Sequence, residues 1–235
     1  MYEKEMVERG EQAIRDCLDC VPFLKIREIK IEPELSGRRP DFLVLVEVAN
    51  GQYNLVVEAR SSGQPGIARG AIDQLRAYLE GLPNPYPVFL APYITDATAK
   101  LCARDGVGYI DLAGNCRLSF GQVYIEQRGK KNPYSEKREL RSLYSPKAER
   151  ILRVLLTSPK RSWKLQELAS AANVSLGLAS KVKQILKLRE WLDPRSKGVK
   201  LLDPEVALTE WANEYRYSRH RIMNFYSLVS GSELE

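Results

Sequence analysis

The chain has 235 residues, 44% hydrophobic and 28% charged, a composition that suits a globular fold of one large or two small domains. No apolar run approaches the roughly 18 residues that cross a bilayer, which argues against a membrane partner. Residues 1–5 lack the basic-then-apolar order of a signal peptide, so a cytoplasmic location is expected. The net charge of +6 is uneven: residues 1–128 carry 15 Lys and Arg against 18 Asp and Glu, whereas residues 129–235 carry 21 against 12. A basic C-terminal half on a mildly acidic N-terminal half points to a module that meets a polyanion.

In chain order, residues 2–18 place Met6, Val7, Ala13, Ile14 and Leu18 among charges, the pattern of an amphipathic helix. Residues 25–31 and 42–48 are β-rich, separated by Gly37 and an Arg38-Arg39-Pro40 turn. Asn50-Gly51 is a two-residue hairpin signal that joins 42–48 to 53–59. A Ser-, Gly- and Pro-rich loop over 61–66 leads to a helix over 67–79. Residues 87–91 read as a buried strand, 95–104 as a helix capped by Thr95, and 107–111, 117–120 and 123–126 as further strands. The alternation after a hairpin predicts an α/β fold, a mixed sheet with helices on both faces.

Cys17-Leu-Asp-Cys20 has C-x-x-C spacing, but there is no second pair and the sole histidine, His220, is distant. Four buried, reduced thiols are therefore expected rather than a zinc site.

The chemistry concentrates at the first hairpin. Asp41 opens one strand and Glu58 closes its partner, so both lie at the end distant from the turn and should converge. Two carboxylates on adjacent strands suit Mg²⁺, a hard cation that prefers oxygen ligands. Such an ion lowers the pKa of a bound water and offsets charge on a scissile phosphate. The cation two residues past Glu58 is Arg60.

These residues resemble the PD-(D/E)xK, or restriction-endonuclease-like, nuclease superfamily, in particular its RecB-like and Holliday-resolvase-like branches. Pro40-Asp41 and Glu58-Ala59-Arg60 match the core motif, and Gln74 and Tyr78 match a Q-x-x-x-Y element on the following helix. The resemblance covers residues 1–128. It implies a Mg²⁺-dependent DNA endonuclease with Asp41 and Glu58 as metal ligands and Gln74 and Tyr78 beside the site. It makes Glu8 and Glu11 weaker candidates for a further metal contact. The departure is Arg60 where the family has lysine. A guanidinium is planar and keeps its proton, so it can hold a phosphate but mimics poorly an ammonium that handles water.

Residues 106–115 also resemble the Y-I-D-x-A-G-N signature of antitoxin regulators from type IV abortive-infection systems. In those the winged helix comes first, whereas here the order is reversed. Gly114 and Asn115 both tolerate positive φ, and Asp111 either caps that turn or lines the same edge as Glu58. The capped turn is the expected role.

Residues 129–144 read as a basic linker and 145–235 as an all-α winged helix–turn–helix module. Ser145-Pro146 starts its first helix, 165–171 forms the second, and 176–188 the third, which enters the major groove. Ser175, Ser180, Lys181 and Gln184 lie on that exposed face, with Lys183 and Lys187 nearer the phosphates. Val174, Leu178, Val182 and Ile185 pack inward, Trp163 and Trp191 belong to the core, and Arg195, Lys197 and Lys200 decorate a wing. A tail with Tyr215, Arg216, Tyr217, Arg219, His220, Arg221 and Phe225 interleaves basic and aromatic side chains, as nucleic-acid surfaces do. Two functions follow: a double-stranded-DNA-binding protein with an altered, Mg²⁺-dependent nuclease centre, or a non-enzymatic transcriptional regulator of antitoxin type. A second copy of the chain and a toxin protein are the other partners to consider.

Overall fold

The computed structural model describes residues 3–35, 37–134 and 143–214. The aromatic and basic tail singled out above, from Tyr215 to Phe225, lies outside the described residues, as does part of the expected linker.

Seven strands form one mixed sheet whose spatial order follows the chain: β1 (Lys25–Ile31), β2 (Phe42–Val48), β3 (Gly51–Ala59), β4 (Pro85–Ala91), β5 (Gly108–Asp111), β6 (Cys116–Phe120) and β7 (Val123–Gln127). The pairs β3–β4 and β4–β5 are parallel and the rest antiparallel. Each parallel pair needs a crossover helix. These are α2 (Pro65–Tyr78) and α3 (Asp96–Arg104), which pack against each other on one face; α1 (Glu3–Leu18) covers the other. The expected mixed sheet with helices on both faces is what forms.

Strand alternation divides the core. Phe42, Val44, Leu55, Val57, Val88 and Ile110 point toward Met6, Ile14 and Leu18 of α1. Val56, Phe89, Ala91 and Tyr109 point toward Ala68, Ile72 and Leu75 of α2 and Leu101 of α3. Val56 and Glu58 share a parity, so Glu58 faces the α2 side. Cys17, Cys102 and Cys116 are buried as expected, but Cys20 is exposed past the end of α1, where the helix has stopped and its apolar face no longer repeats.

The hairpin is shifted by one residue from the sequence expectation. Val48 pairs with Gly51, so the loop is Ala49-Asn50 and Gly51, at φ +138°, begins β3. The shift matters because register follows the turn. With Phe42 opposite Val57 at the end of the ladder, Asp41 comes next to Glu58 just beyond it. A loop at Asn50-Gly51 would have set Asp41 against Arg60 instead.

Helices α4 (Ala148–Thr157), α5 (Leu165–Ala171), α6 (Leu176–Leu188) and α7 (Pro204–Glu214) form a second core of Ile151, Leu152, Leu155, Leu168, Val182 and Leu186. Trp163 and Trp191 join it, as expected. The unit is not purely helical: isolated bridges link Trp163 to Val199 and Leu192 to Leu201. Ser145 precedes α4 by three residues, and its Oγ accepts a hydrogen bond from Ala148 N at 3.4 Å. The two units meet where Gly66 lies against the backbone of Leu188 and Arg69 pairs with Glu190, Arg69 Nη2 donating to Oε2 at 2.9 Å.

Candidate functional site

At the carboxyl end of β3 the hairpin brings Asp41 and Glu58 together on the α2 face. Asp41 Oδ2 accepts the amide of Ala59 at 2.6 Å, which ties the start of β2 to the end of β3. Glu58 is 4% exposed. Burial, and then the like charge of Asp41, push its carboxyl up to about 7, against the opposing pull of Arg60.

Arg60 reaches back into this pair. Its Nη1 donates both to Glu58 Oε1 and to the carbonyl of Ala59, the latter at 2.9 Å. Its Nη2 donates to Gln74 Oε1 at 2.6 Å. Gln74 Nε2 in turn donates to the hydroxyl of Tyr78, one helical turn on, and that hydroxyl to the carbonyl of Arg39 at 3.4 Å. Burial raises the Tyr78 phenol, keeping it a neutral donor. Asp41, Glu58, Arg60, Gln74 and Tyr78 therefore lie together, four of them in one hydrogen-bonded chain. The i, i+4 spacing of Gln74 and Tyr78 on α2 makes the last link.

This arrangement does not fit a divalent cation. A hard cation would take oxygens from Asp41 and Glu58 and a strand carbonyl such as that of Ala59. One guanidinium nitrogen already sits on two of those three, and its other end is fixed by Gln74. Among the described residues there is no cluster of three or more His, Cys, Asp or Glu suited to a metal. Glu8 and Glu11 do not join the site, since α1 covers the opposite face and Glu11 is paired with Arg15 at 2.7 Å. Arg60 places a positive charge where an ion would bring one.

Asp111, the other acid at this sheet edge, is 1% exposed and caps the turn that follows it. Its Oδ1 accepts the amides of Ala113 at 3.0 Å and Asn115 at 2.7 Å. Its Oδ2 accepts the amide of Ile94 at 3.1 Å and Asn115 Nδ2 at 2.8 Å. Fully engaged, it offers nothing to the Asp41–Glu58 pair. Nearby, Gly63 passes so close to Tyr93 that a Cβ would stand 1.9 Å from its carbonyl oxygen, so only glycine fits.

On the helical unit, Ser180, Lys181, Gln184 and Lys187 of α6 are exposed, and Lys183 is half-buried. Ser175 caps the helix, its Oγ accepting the Leu178 amide at 3.3 Å. The inward face is rotated from the expected one: Ala179, Val182 and Leu186 are buried, whereas Val174, Leu178 and Ile185 are only partly so. Arg195 and Lys197 are exposed, and Lys200 Nζ donates to Asp193 Oδ2 at 3.0 Å. The sequence reading missed Asp193 as that partner because nothing in local periodicity couples positions seven apart across a hairpin.

No family model matches the chain, and no curated protein matches it. Among solved structures, it is similar to a repair endonuclease from Pyrococcus abyssi, with 17% identity over 43% of this chain and 46% of that one, at a TM-score of 0.29. It is similar to EndoMS in its apo form, with 17% identity over 47% of this chain and 46% of that one, at 0.31. SfsA from Pyrococcus furiosus with Ca²⁺ aligns at 16% identity over 52% of this chain and 63% of that one, at 0.24. The chain thus spans about half the length of the first two.

Proposed function

We propose that this is a double-stranded-DNA-binding protein whose restriction-endonuclease-like domain, residues 1–128, holds an arginine in place of a metal. On this reading residues 145–235 are a winged helix that supplies most of the DNA affinity. The observation that carries the reading is the single Arg60 guanidinium shared by Glu58, Ala59 and Gln74. A centre neutralised by a permanent side-chain cation binds without hydrolysing, because it has no bound water of lowered pKa. The charge distribution supports the DNA partner, with the excess cations in residues 129–235 and an exposed Ser180, Lys181 and Gln184 face on α6.

The convergence of Asp41 and Glu58 favours a second reading, a Mg²⁺-dependent DNA endonuclease in which Arg60 swings away and the carboxylates take the ion. Incubating supercoiled DNA with the protein and Mg²⁺ or Mn²⁺ separates the two. The first reading predicts a gel shift without nicking, identical for wild type and Asp41→Ala. Metal-dependent nicking that disappears in Asp41→Ala establishes the second.

A further inference from the structure

Past the carboxyl end of β4, between α3 and the segment after β7, lies a cleft of about 420 Å³. Lys100 from α3 and Arg128, Lys130 and Lys131 from the segment after β7 line it, against a single carboxylate, Asp96. Tyr93 and Tyr109 also line it. We propose that this cleft is a second phosphate-contact site for nucleic acid, built by the turn over residues 111–115 to hold the basic segment in place.

The construction is specific. Asp111 fixes Asn115 through both its amide and its side chain, at 2.7 and 2.8 Å. Asn115 then grips the backbone of Lys130 from two sides, Oδ1 accepting its amide at 2.9 Å and Nδ2 donating to its carbonyl at 3.3 Å. Gly114, at φ +95°, lies under the stem of Lys130, whose Cγ stands 3.8 Å from where a Cβ would project. The Asp-x-x-Gly-Asn turn is thus a clamp on a chain segment fifteen residues away. Its product is an immobilised basic loop, and fixing such a loop before binding reduces the ordering cost that flexible lysines otherwise incur.

Charge is concentrated there with little internal neutralisation. Lys100, Lys130 and Lys131 are exposed and, among the described residues, make no ion pair; only Arg128 has a carboxylate partner, Glu126. The ligand is therefore anionic, and the open, solvent-facing loop suits a chain of phosphates rather than an enclosed small molecule. Position agrees with this. The cleft lies at the carboxyl ends of parallel strands, where open α/β sheets bind ligands. From β3 to β5 is two strand spacings, roughly 10 Å, or about three steps of a duplex at about 3.4 Å each. A backbone crossing the Asp41–Glu58 pair therefore reaches Lys130 and Lys131 within one short run.

The inference rests on the DNA-binding reading above, and the test separates the two. Binding of a fluorescent duplex to the full chain is measured by anisotropy over a range of salt, for wild type, Lys130→Glu/Lys131→Glu and Lys181→Glu/Lys183→Glu. The expected result is that Lys130→Glu/Lys131→Glu weakens binding about tenfold or more at low salt and makes the log K against log salt slope shallower by about 2, near 0.9 per phosphate lost. An affinity within about twofold and an unchanged slope, while Lys181→Glu/Lys183→Glu abolishes binding, overturns the cleft and leaves the DNA-binding reading intact. A wild type that binds no duplex overturns both.

Discussion

Glu58 makes a sharp prediction about stability and pH. Its carboxyl is pushed up to about 7 by burial and by Asp41, from an unperturbed value near 4.5. Between these values the folded chain keeps a proton that the unfolded chain releases, so the contribution of Glu58 to stability falls as pH rises through that window. Above about pH 7 the loss is complete, and 2.5 pKa units at about 1.4 kcal/mol each give about 3 kcal/mol as an upper bound. Glu58→Gln keeps the shape and an acceptor for Arg60 but removes the titration. Urea unfolding of both proteins at pH 5 and pH 8 isolates the effect of Glu58 and of its coupling to Asp41 and Arg60, because ionisable groups that do not interact with it cancel in the difference. The wild type should match Glu58→Gln at pH 5 and fall behind it by about 2–3 kcal/mol at pH 8. A gap that is the same at both pH values, within about 0.5 kcal/mol, would refute the buried, proton-holding carboxyl.

Asp111→Ala removes the acceptor of four hydrogen bonds at a buried turn. It should cost about 3 kcal/mol or more, a drop of about 6–12 °C in Tm by calorimetry; a change under about 2 °C would contradict the clamp. On the helical unit, Lys197 is exposed whereas Lys200 is paired with Asp193. On the proposed DNA-binding reading, Lys197→Ala should therefore weaken duplex binding more than Lys200→Ala in an anisotropy titration, and the reverse order would remove this segment from the proposed DNA path. Arg69→Ala breaks the bidentate pair with Glu190 that ties α2 to the end of α6. Both side chains are substantially exposed, so denaturation should register a loss of at most about 1 kcal/mol.

Much of this site is legible in the sequence because it is built from local pattern. Alternation in β2 and β3 and a hairpin signal are enough to put Asp41 and Glu58 at the same end of the ribbon and on one face, and i, i+4 spacing puts Tyr78 beside Gln74. Thr95 caps α3 as expected, its Oγ1 accepting the Thr98 amide at 3.3 Å. The exact turn was not legible. Asn-Gly is a strong loop signal, yet the loop falls at Ala49-Asn50 and Gly51 begins β3, a shift that leaves every side chain on the same face and so is invisible to the alternation pattern. Where a side chain goes was less legible still. The substitution at Arg60 is plain in the sequence, but its return onto Glu58 and Ala59 depends on Gln74 waiting on the next helix. The clamp of Asn115 on Lys130 and the pairing of Arg69 with Glu190 join positions 15 and 121 residues apart, beyond the reach of any periodicity.

The central claim is that Arg60 takes the place of a metal between Asp41 and Glu58. Calorimetric titration of Mn²⁺ into the full chain addresses it directly, with Asp41→Ala and Arg60→Ala alongside. The account predicts no heat assignable to this pair in the wild type, the same trace for Asp41→Ala, and a binding site appearing only in Arg60→Ala. Saturable Mn²⁺ binding by the wild type that Asp41→Ala abolishes would contradict it.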